Sequence, residues 1–118
     1  MAKKPQDYDV IILGSGPAGL QAAIHAARKK VSVLVLGKPQ NSSLVYAQEL
    51  ENLFGFPTVS GEELLRIGRE QATTFGAKLL EEDVLKLSPD GENFNVKTES
   101  GQEFVGRSEE RRVGKEGR

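Results

Sequence analysis

The stretch Tyr8–Arg28, YDVIILGSGPAGLQAAIHAAR, constrains the fold of this chain more than any other part of the sequence. Its unbroken apolar run, Val10–Leu13, predicts a central parallel strand that is covered on both faces. The glycine pattern G-x-G-x-x-G follows directly, and a helix-forming run rich in small residues comes next: Ala18, Ala22, Ala23, Ala26 and Ala27. A strand, a glycine loop and a helix in this order predict a dinucleotide-binding site, with an ordinary unliganded βα turn as the alternative.

The predicted site is the loop Gly14, Ser15, Gly16, Pro17, Ala18 and Gly19. We expect Gly14 to allow the tight turn out of the strand, and Gly16, which has no β-carbon, to let a pyrophosphate approach the backbone. Gly19 lets the helix pack close to the sheet, and proline suits the first position of a helix. The N–H groups at the helix start carry a partial positive charge and face the phosphates. All six residues are therefore candidate cofactor contacts.

The end of the second strand is the next candidate part of the site. The apolar run Val31–Leu36 predicts this strand beside the first. Dinucleotide-binding folds usually place Asp or Glu at its end, where the carboxylate holds the ribose hydroxyls of adenosine. This chain has Gly37 and Lys38 there instead, and we count both as candidate contacts. Lys38 suits a phosphate, but we favour its interpretation as a solvated lysine.

The remaining sequence predicts one more helix, one more parallel strand and a small antiparallel meander. Ser60 and Glu63 form a capping-box pattern before apolar residues at helical spacing, and Gly76 ends that helix. Ala77–Leu80 predicts the third parallel strand. Strands separated by turns, the first turn at Pro89-Asp90-Gly91, are then predicted at Val84–Leu87, Phe94–Thr98 and Glu103–Val105. The predicted order is βαβαβ followed by three antiparallel strands.

Two other features leave their interpretation open. The segment ENLFGF, residues 51–56, combines amide and aromatic side chains that suit a flat ring system. Its composition favours a loop whose two aromatic side chains are buried in the core. His25 is the only histidine and has no partner within reach along the sequence, so we interpret it as a surface or boundary residue. We find no credible acid, base or nucleophile and predict no catalytic residue.

Composition narrows the class of protein further. The net charge of −1 gives no indication of a nucleic-acid partner. The 118 residues include no apolar run long enough to span a membrane and no signal-peptide pattern. Cysteine is absent, which suits a reducing compartment and excludes thiolate metal ligands within this chain. We expect a cytoplasmic protein with no metal site.

In combination, GSGPAG, ENLFGF, SGEELL, QATTFGA and the meander resemble the first part of thioredoxin reductase and related two-domain flavoprotein oxidoreductases. The resemblance covers Tyr8 to Gly106. It implies an α/β, Rossmann-like three-layer FAD-binding fold, in which a parallel sheet carries the three-stranded meander. It also implies FAD at the glycine loop, with Asn52 as a flavin-side contact and Val84 as a backbone contact to the adenine.

The same resemblance implies chemistry and partners for a full-length parent. There NAD(P)H, bound at a second glycine motif, passes a hydride to FAD, and the flavin reduces thioredoxin or another disulfide acceptor. A homodimer is implied as well. The chain departs from the family pattern after the second strand, where residues 41–44 read NSSL instead of the common Gly-Gly-Gln flavin contact. The alternatives are the NAD(P)-binding domain of a dehydrogenase, against which the meander argues, and a non-catalytic nucleotide-binding module.

The last twelve residues, RSEERRVGKEGR, fit the family pattern least well. The family continues at this point into a buried strand that ends in Ala-Thr-Gly beside the cofactor, and a segment with so many charges cannot be a buried strand. The segment resembles the translation of a sequencing adaptor, with a solvated tail as the alternative. We expect residues 1–106 to be the N-terminal part of a truncated FAD-binding domain, residues 107–118 to be non-native, and the fragment alone to be inactive.

Overall fold

The computed structural model describes residues 6–38, 50, 54–55 and 58–107. Within these residues the elements follow one another as β1 (Gln6–Tyr8), β2 (Val10–Leu13), α1 (Pro17–Arg28), β3 (Val33–Leu36), α2 (Gly61–Thr74), β4 (Lys78–Leu80), β5 (Val84–Asp90), β6 (Asn93–Thr98) and β7 (Glu103–Arg107). The predicted order, βαβαβ followed by a three-stranded meander, is confirmed, and a short strand precedes it.

The strands form two sheets. A parallel sheet has the order β2-β3-β4, and a mixed sheet has the order β1-β7-β6-β5. In the mixed sheet β5, β6 and β7 pair antiparallel as the predicted meander. β1 pairs parallel with β7, with Tyr8 opposite Gly106. The sequence did not reveal β1, because Gln6 and Asp7 give this short strand no apolar alternation.

The parallel sheet is the middle layer of three. Alternate residues of a strand point to opposite faces, so β2 and β3 contribute to two cores. The core on the helical side contains Val10, Ile12, Val33 and Val35 together with residues of α1 and α2 such as Leu20, Ala23, Leu65 and Ala72. The core on the meander side contains Ile11, Leu34, Leu36, Phe94, Val96 and Phe104. Burial on both faces explains the unbroken apolar runs and confirms the predicted three-layer fold.

Several bounds differ from the predicted ones. The helix α1 ends at Arg28, two residues before Lys30, which has a positive φ of 64°. The strand β5 continues through Pro89 to Asp90, so the turn predicted over Pro89, Asp90 and Gly91 is displaced towards Gly91. Proline is tolerated there because β5 is the edge strand of its sheet.

The start of α2 follows its predicted cap in part. Ser60 Oγ accepts a hydrogen bond from the backbone N–H of Glu63 at 3.1 Å. The Glu63 carboxylate accepts hydrogen bonds from Arg66, one turn further along the helix. After the helix, Gly76 has a φ of 107°, which confirms it as the predicted helix stop.

Candidate functional site

The glycine loop joins the carboxyl end of β2 to the start of α1. Gly14 has a φ of 124°, a conformation that residues with a side chain rarely adopt. Its N–H donates to the carbonyl oxygen of Leu36 at 2.7 Å, so the start of the loop is hydrogen-bonded to the end of β3. Gly16 is the N-cap of α1 and Pro17 is the first helical residue. The predicted tight turn and helix start are therefore confirmed.

Gly19 lies in the first turn of α1 against the backbone of the loop. A β-carbon at Gly19 would lie 2.1 Å from the Gly14 carbonyl oxygen and 3.4 Å from Cγ2 of Ile12. No residue with a side chain fits there without displacing the backbone. The close helix–sheet approach predicted for Gly19 is confirmed.

Gly37 brings the end of β3 to the same loop. Its φ is 154°, and a β-carbon there would lie 3.0 Å from the backbone nitrogen of Ser15 and 3.3 Å from Ser15 Oγ. Its N–H donates to the carbonyl oxygen of Leu80 at 3.2 Å, which ties it to the end of β4. The carboxyl ends of three parallel strands thus meet around the glycine loop.

The Ser15 hydroxyl is a buried polar group of this loop. Ser15 is only 4% exposed, and its Oγ makes no hydrogen bond within the part of the chain that the structure describes. Buried hydroxyls are normally hydrogen-bonded, and the described residues supply no partner for this one. A hydroxyl group and the N–H groups of a helix start, next to glycine residues that leave the backbone accessible, suit the binding of a phosphate.

Lys38, next to Gly37, is held by an ion pair. Its Nζ lies 2.8 Å from Oε2 of Glu99, in the turn between β6 and β7, and each side chain is more than half buried. The hydrogen bond to Glu99 raises the pKa of Lys38, and the same bond lowers the pKa of Glu99. Lys38 is therefore not a free solvated lysine, because a contact between two sheets pairs it with Glu99 while about 33% of its side chain stays exposed.

The remaining predicted residues fall at different places. Val84 begins β5, opposite Thr98, and packs partly buried against the meander-side core. Its contact to adenine stays a prediction. Asn52 lies outside the described residues, so its contact to the flavin stays a prediction too. Phe54 is fully exposed, so the expectation that both aromatic side chains of ENLFGF are buried is wrong for Phe54. His25 is exposed on α1, as predicted.

Neither a metal-binding cluster nor a membrane-spanning helix occurs in the described ranges. No group of three or more histidine and carboxylate side chains there is arranged to hold a metal ion. No helix among the same residues has both the length and the apolar character needed to cross a membrane.

Glu99 is a residue of this region that no sequence pattern indicated. It lies far along the chain from Lys38, and only the pairing of the meander brings its turn to the end of β3. The Glu99 N–H donates to the carbonyl oxygen of Asp83 at 3.1 Å, which fixes the turn beside β5. No local pattern of residues signals such a contact, because both partners are ordinary charged residues at the ends of strands.

Comparison with known protein families identifies the family of this chain. Residues 8–112 match the family described as pyridine nucleotide-disulphide oxidoreductase. The chain belongs to this family. The membership confirms the resemblance inferred from the glycine loop, ENLFGF and the meander.

Named relatives in the oxidoreductase family are thioredoxin reductases. The thioredoxin reductase of Aquifex aeolicus (strain VF5) is 41% identical over 110 residues, which are 92% of this chain and 34% of that protein. The bifunctional thioredoxin reductase/thioredoxin of Mycobacterium leprae (strain TN) is 42% identical over 103 residues, which are 86% of this chain and 22% of that protein. A solved thioredoxin reductase from Gloeobacter violaceus has a TM-score of 0.81 at 33% identity, and the match covers 88% of this chain and 35% of that one. The chain thus spans about a third or less of the length of these relatives.

Proposed function

We propose that this chain is the FAD-binding part of a flavin-dependent oxidoreductase of the thioredoxin reductase type. The observation that carries the proposal is the buried Ser15 hydroxyl, which has no hydrogen-bond partner among the described residues, in a loop where Gly19 and Gly37 leave no room for a side chain. A loop of this shape in front of a helix N-terminus suits the pyrophosphate of a dinucleotide. Family membership adds FAD as the dinucleotide at this first glycine motif.

Each part of the chain has a binding task in this proposal. The loop residues Gly14 to Gly19 hold the pyrophosphate, and Gly37 and Lys38 lie at the adenosine ribose. The backbone of Val84 contacts the adenine, and Asn52 contacts the flavin. When bound, FAD supplies the redox chemistry, because it accepts a hydride from NAD(P)H and passes electrons to a disulfide. We assign no catalytic residue to this chain, whose residues bind and orient the cofactor.

Thioredoxin is the disulfide acceptor that we propose for the full-length protein. Support comes from the relatives, which are named thioredoxin reductases. We also propose, from the family resemblance, a cytoplasmic homodimer that uses NAD(P)H. The chain alone is expected to show little turnover with NADPH and a dye acceptor, since it matches only about a third of the Aquifex relative.

The domain boundary is a further part of the proposal. We propose that residues 1–106 are the N-terminal part of the FAD-binding domain and that residues 107–118 are non-native. Arg107, the first residue of that segment, nevertheless completes β7 and pairs with Asn93 in the structure, so the expectation that no part of the segment is a strand is wrong for Arg107. The support is the charge content of the last twelve residues, which is unsuited to a buried strand. Sequencing the source locus with long reads tests this boundary. A reading frame that changes after the Gly106 codon supports the boundary, and an unchanged tail with a genuine stop codon contradicts it.

Cofactor retention tests the proposed function. The purified chain is incubated with FAD, FMN or NADPH and passed through a gel-filtration column, and the ligand that elutes with the protein is measured by absorbance. We expect about one FAD to be retained per protein chain. FMN lacks the adenylate half and is expected to be lost. Retention of NADPH but not FAD by a folded chain would favour the dehydrogenase alternative.

A further inference from the structure

The end of β3 carries a lysine where adenine dinucleotide sites usually carry a carboxylate. A carboxylate there accepts hydrogen bonds from the ribose hydroxyls, whereas a nearby cation accommodates a 2′-phosphate. Gly37 lies against Ser15 of the glycine loop. Dinucleotide-binding folds hold the adenosine ribose at the end of the second strand, so we assign the adjoining residue Lys38 to that end of the proposed site. A free lysine at this position would therefore favour a nucleotide that carries a 2′-phosphate.

The lysine is neutralised by a residue from the other sheet. Glu99 Oε2 lies 2.8 Å from Lys38 Nζ, at a distance typical of a charge-assisted hydrogen bond. The negative charges of two further carboxylates, those of Asp83 and Glu82, also raise the pKa of Lys38. Glu99 forms an ion pair with the lysine through its Oε2.

The turn that presents Glu99 is fixed from both sides. The Glu99 N–H donates to the carbonyl oxygen of Asp83 at 3.1 Å, and the Asp83 N–H reaches Glu99 Oε2 at 3.5 Å. The neighbouring Ser100 hydroxyl donates to a carboxylate oxygen of Glu82 at 2.7 Å. The carboxylate therefore has a defined position at the end of β3, and the lysine is not free to turn towards a ligand without breaking the pair.

We infer that Glu99 is a specificity-determining residue of the nucleotide site. By pairing with Lys38 it removes the free cation that would attract a 2′-phosphate, so the site takes adenine nucleotides with an unmodified ribose 2′-hydroxyl. This inference rests on the proposed function, because it requires an adenine dinucleotide at the glycine loop. It names the class of ligand that this end of the site accepts and the class that it rejects.

The test compares two small nucleotides that differ in the 2′-phosphate. Affinities for 5′-ADP and for 2′,5′-ADP are measured by isothermal titration calorimetry at low ionic strength, where charge effects are least screened. Glu99→Gln keeps the shape of the side chain and removes its charge. We expect this variant to bind 2′,5′-ADP about tenfold more tightly than the unmodified chain does, with 5′-ADP changed by less than about twofold.

Two companion variants show whether the tighter binding of 2′,5′-ADP depends on Lys38. Adding Lys38→Met to Glu99→Gln is expected to abolish the gain, since no cation is then left to meet the 2′-phosphate. The matched control is Glu103→Gln on β7, which removes the same charge from a carboxylate that lies beside Asn95. A gain of equal size in the control would overturn the inference, because net charge would then explain it.

The outcomes separate the inference from the proposed function. An unmodified chain that binds neither FAD nor 5′-ADP contradicts the proposed function and the inference together. Intact FAD binding with an unchanged ratio of the two affinities in Glu99→Gln contradicts the inference alone. If Glu99→Gln fails to fold, Lys38→Met decides, because it leaves the Glu99 charge unpaired. A fall in the affinity for 2′,5′-ADP relative to 5′-ADP then supports the inference, and a constant or higher ratio overturns it.

Discussion

A β-carbon on Gly19 would lie 2.1 Å from the carbonyl oxygen of Gly14, so the first turn of α1 is in direct backbone contact with the loop that follows β2. The backbone of a short loop cannot move aside as the tip of a long side chain can. We expect Gly19→Ala to lower the free energy of unfolding by about 1–3 kcal/mol, as overpacking does, and to weaken FAD binding. Urea unfolding and an FAD titration measure the two effects.

The control for this prediction is another helical glycine. A β-carbon at Gly68 in α2 would lie 3.3 Å from Cδ1 of Leu20, a side-chain atom that can shift. Alanine is also the better helix former, by about 1 kcal/mol. Gly68→Ala is therefore expected to keep both stability and FAD affinity. Equal losses in both variants would contradict the special role of the Gly19–Gly14 contact.

Ser15→Ala and Ser60→Ala are predicted to have opposite effects: the first lowers FAD affinity and not stability, and the second lowers stability and not FAD affinity. Ser15 Oγ has no hydrogen-bond partner among the described residues, so its removal should leave the free energy of unfolding almost unchanged. If the hydroxyl bonds the cofactor, FAD affinity falls about tenfold, the effect of losing a hydrogen bond to a charged group. Ser60 caps α2, so Ser60→Ala should cost about 1 kcal/mol of stability and leave FAD affinity unchanged. Urea unfolding and FAD titration of both variants distinguish the roles, and a stability loss without an affinity loss in Ser15→Ala would contradict the proposed contact.

The local parts of the site were predictable from sequence because short-range sterics dictate them. The run Val10–Leu13 indicates a strand buried on both faces, and Gly14 and Gly19 lie where only glycine satisfies the turn and the helix contact. The pairing of Lys38 with Glu99 was not predictable, because it depends on how the meander folds back over the parallel sheet. β1 was missed for the same reason, since its pairing partner β7 is distant in sequence and its own residues are mostly polar.

Gly106 and Phe94 form a second close contact, across the meander. They are directly opposite in the pairing of β6 with β7, and a β-carbon at Gly106 would lie 2.5 Å from Cζ of the Phe94 ring. Gly106→Ala is expected to cost about 1–3 kcal/mol of stability, because the buried ring must move. The cost should shrink when Phe94→Leu is present. A double-mutant cycle measured by urea unfolding gives the coupling, and additive effects of the two substitutions would contradict the contact.

Asp9 is predicted to make stability depend on pH below neutrality. Its carboxylate accepts hydrogen bonds from the Ser32 N–H at 2.9 Å and from Arg107 Nε at 2.9 Å. The backbone hydrogen bond from Ser32 is the main cause that lowers the pKa of Asp9. Because the folded pKa lies below the unfolded one, this contribution is present above about pH 4 and is lost as the pH falls through the folded pKa.

The measurement for Asp9 is a comparison of urea midpoints across pH. Asp9→Asn should be less stable than the unmodified chain near neutral pH. The difference between their urea midpoints should become smaller in acid. Asp90→Asn, the same substitution at the exposed end of β5, serves as the control for the loss of one charge. A gap that stays constant from neutral pH into acid would show that Asp9 does not act through its ionised form.

The identity of the cofactor at the glycine loop is the central claim, and a pair of titrations tests it most directly. The same preparation of the chain is titrated with FAD and with NADPH in separate experiments, and binding is followed by calorimetry. The account predicts saturable binding of FAD at about one site per chain, competition by ADP, and no comparable binding of NADPH. Tight binding of NADPH without affinity for FAD would contradict it.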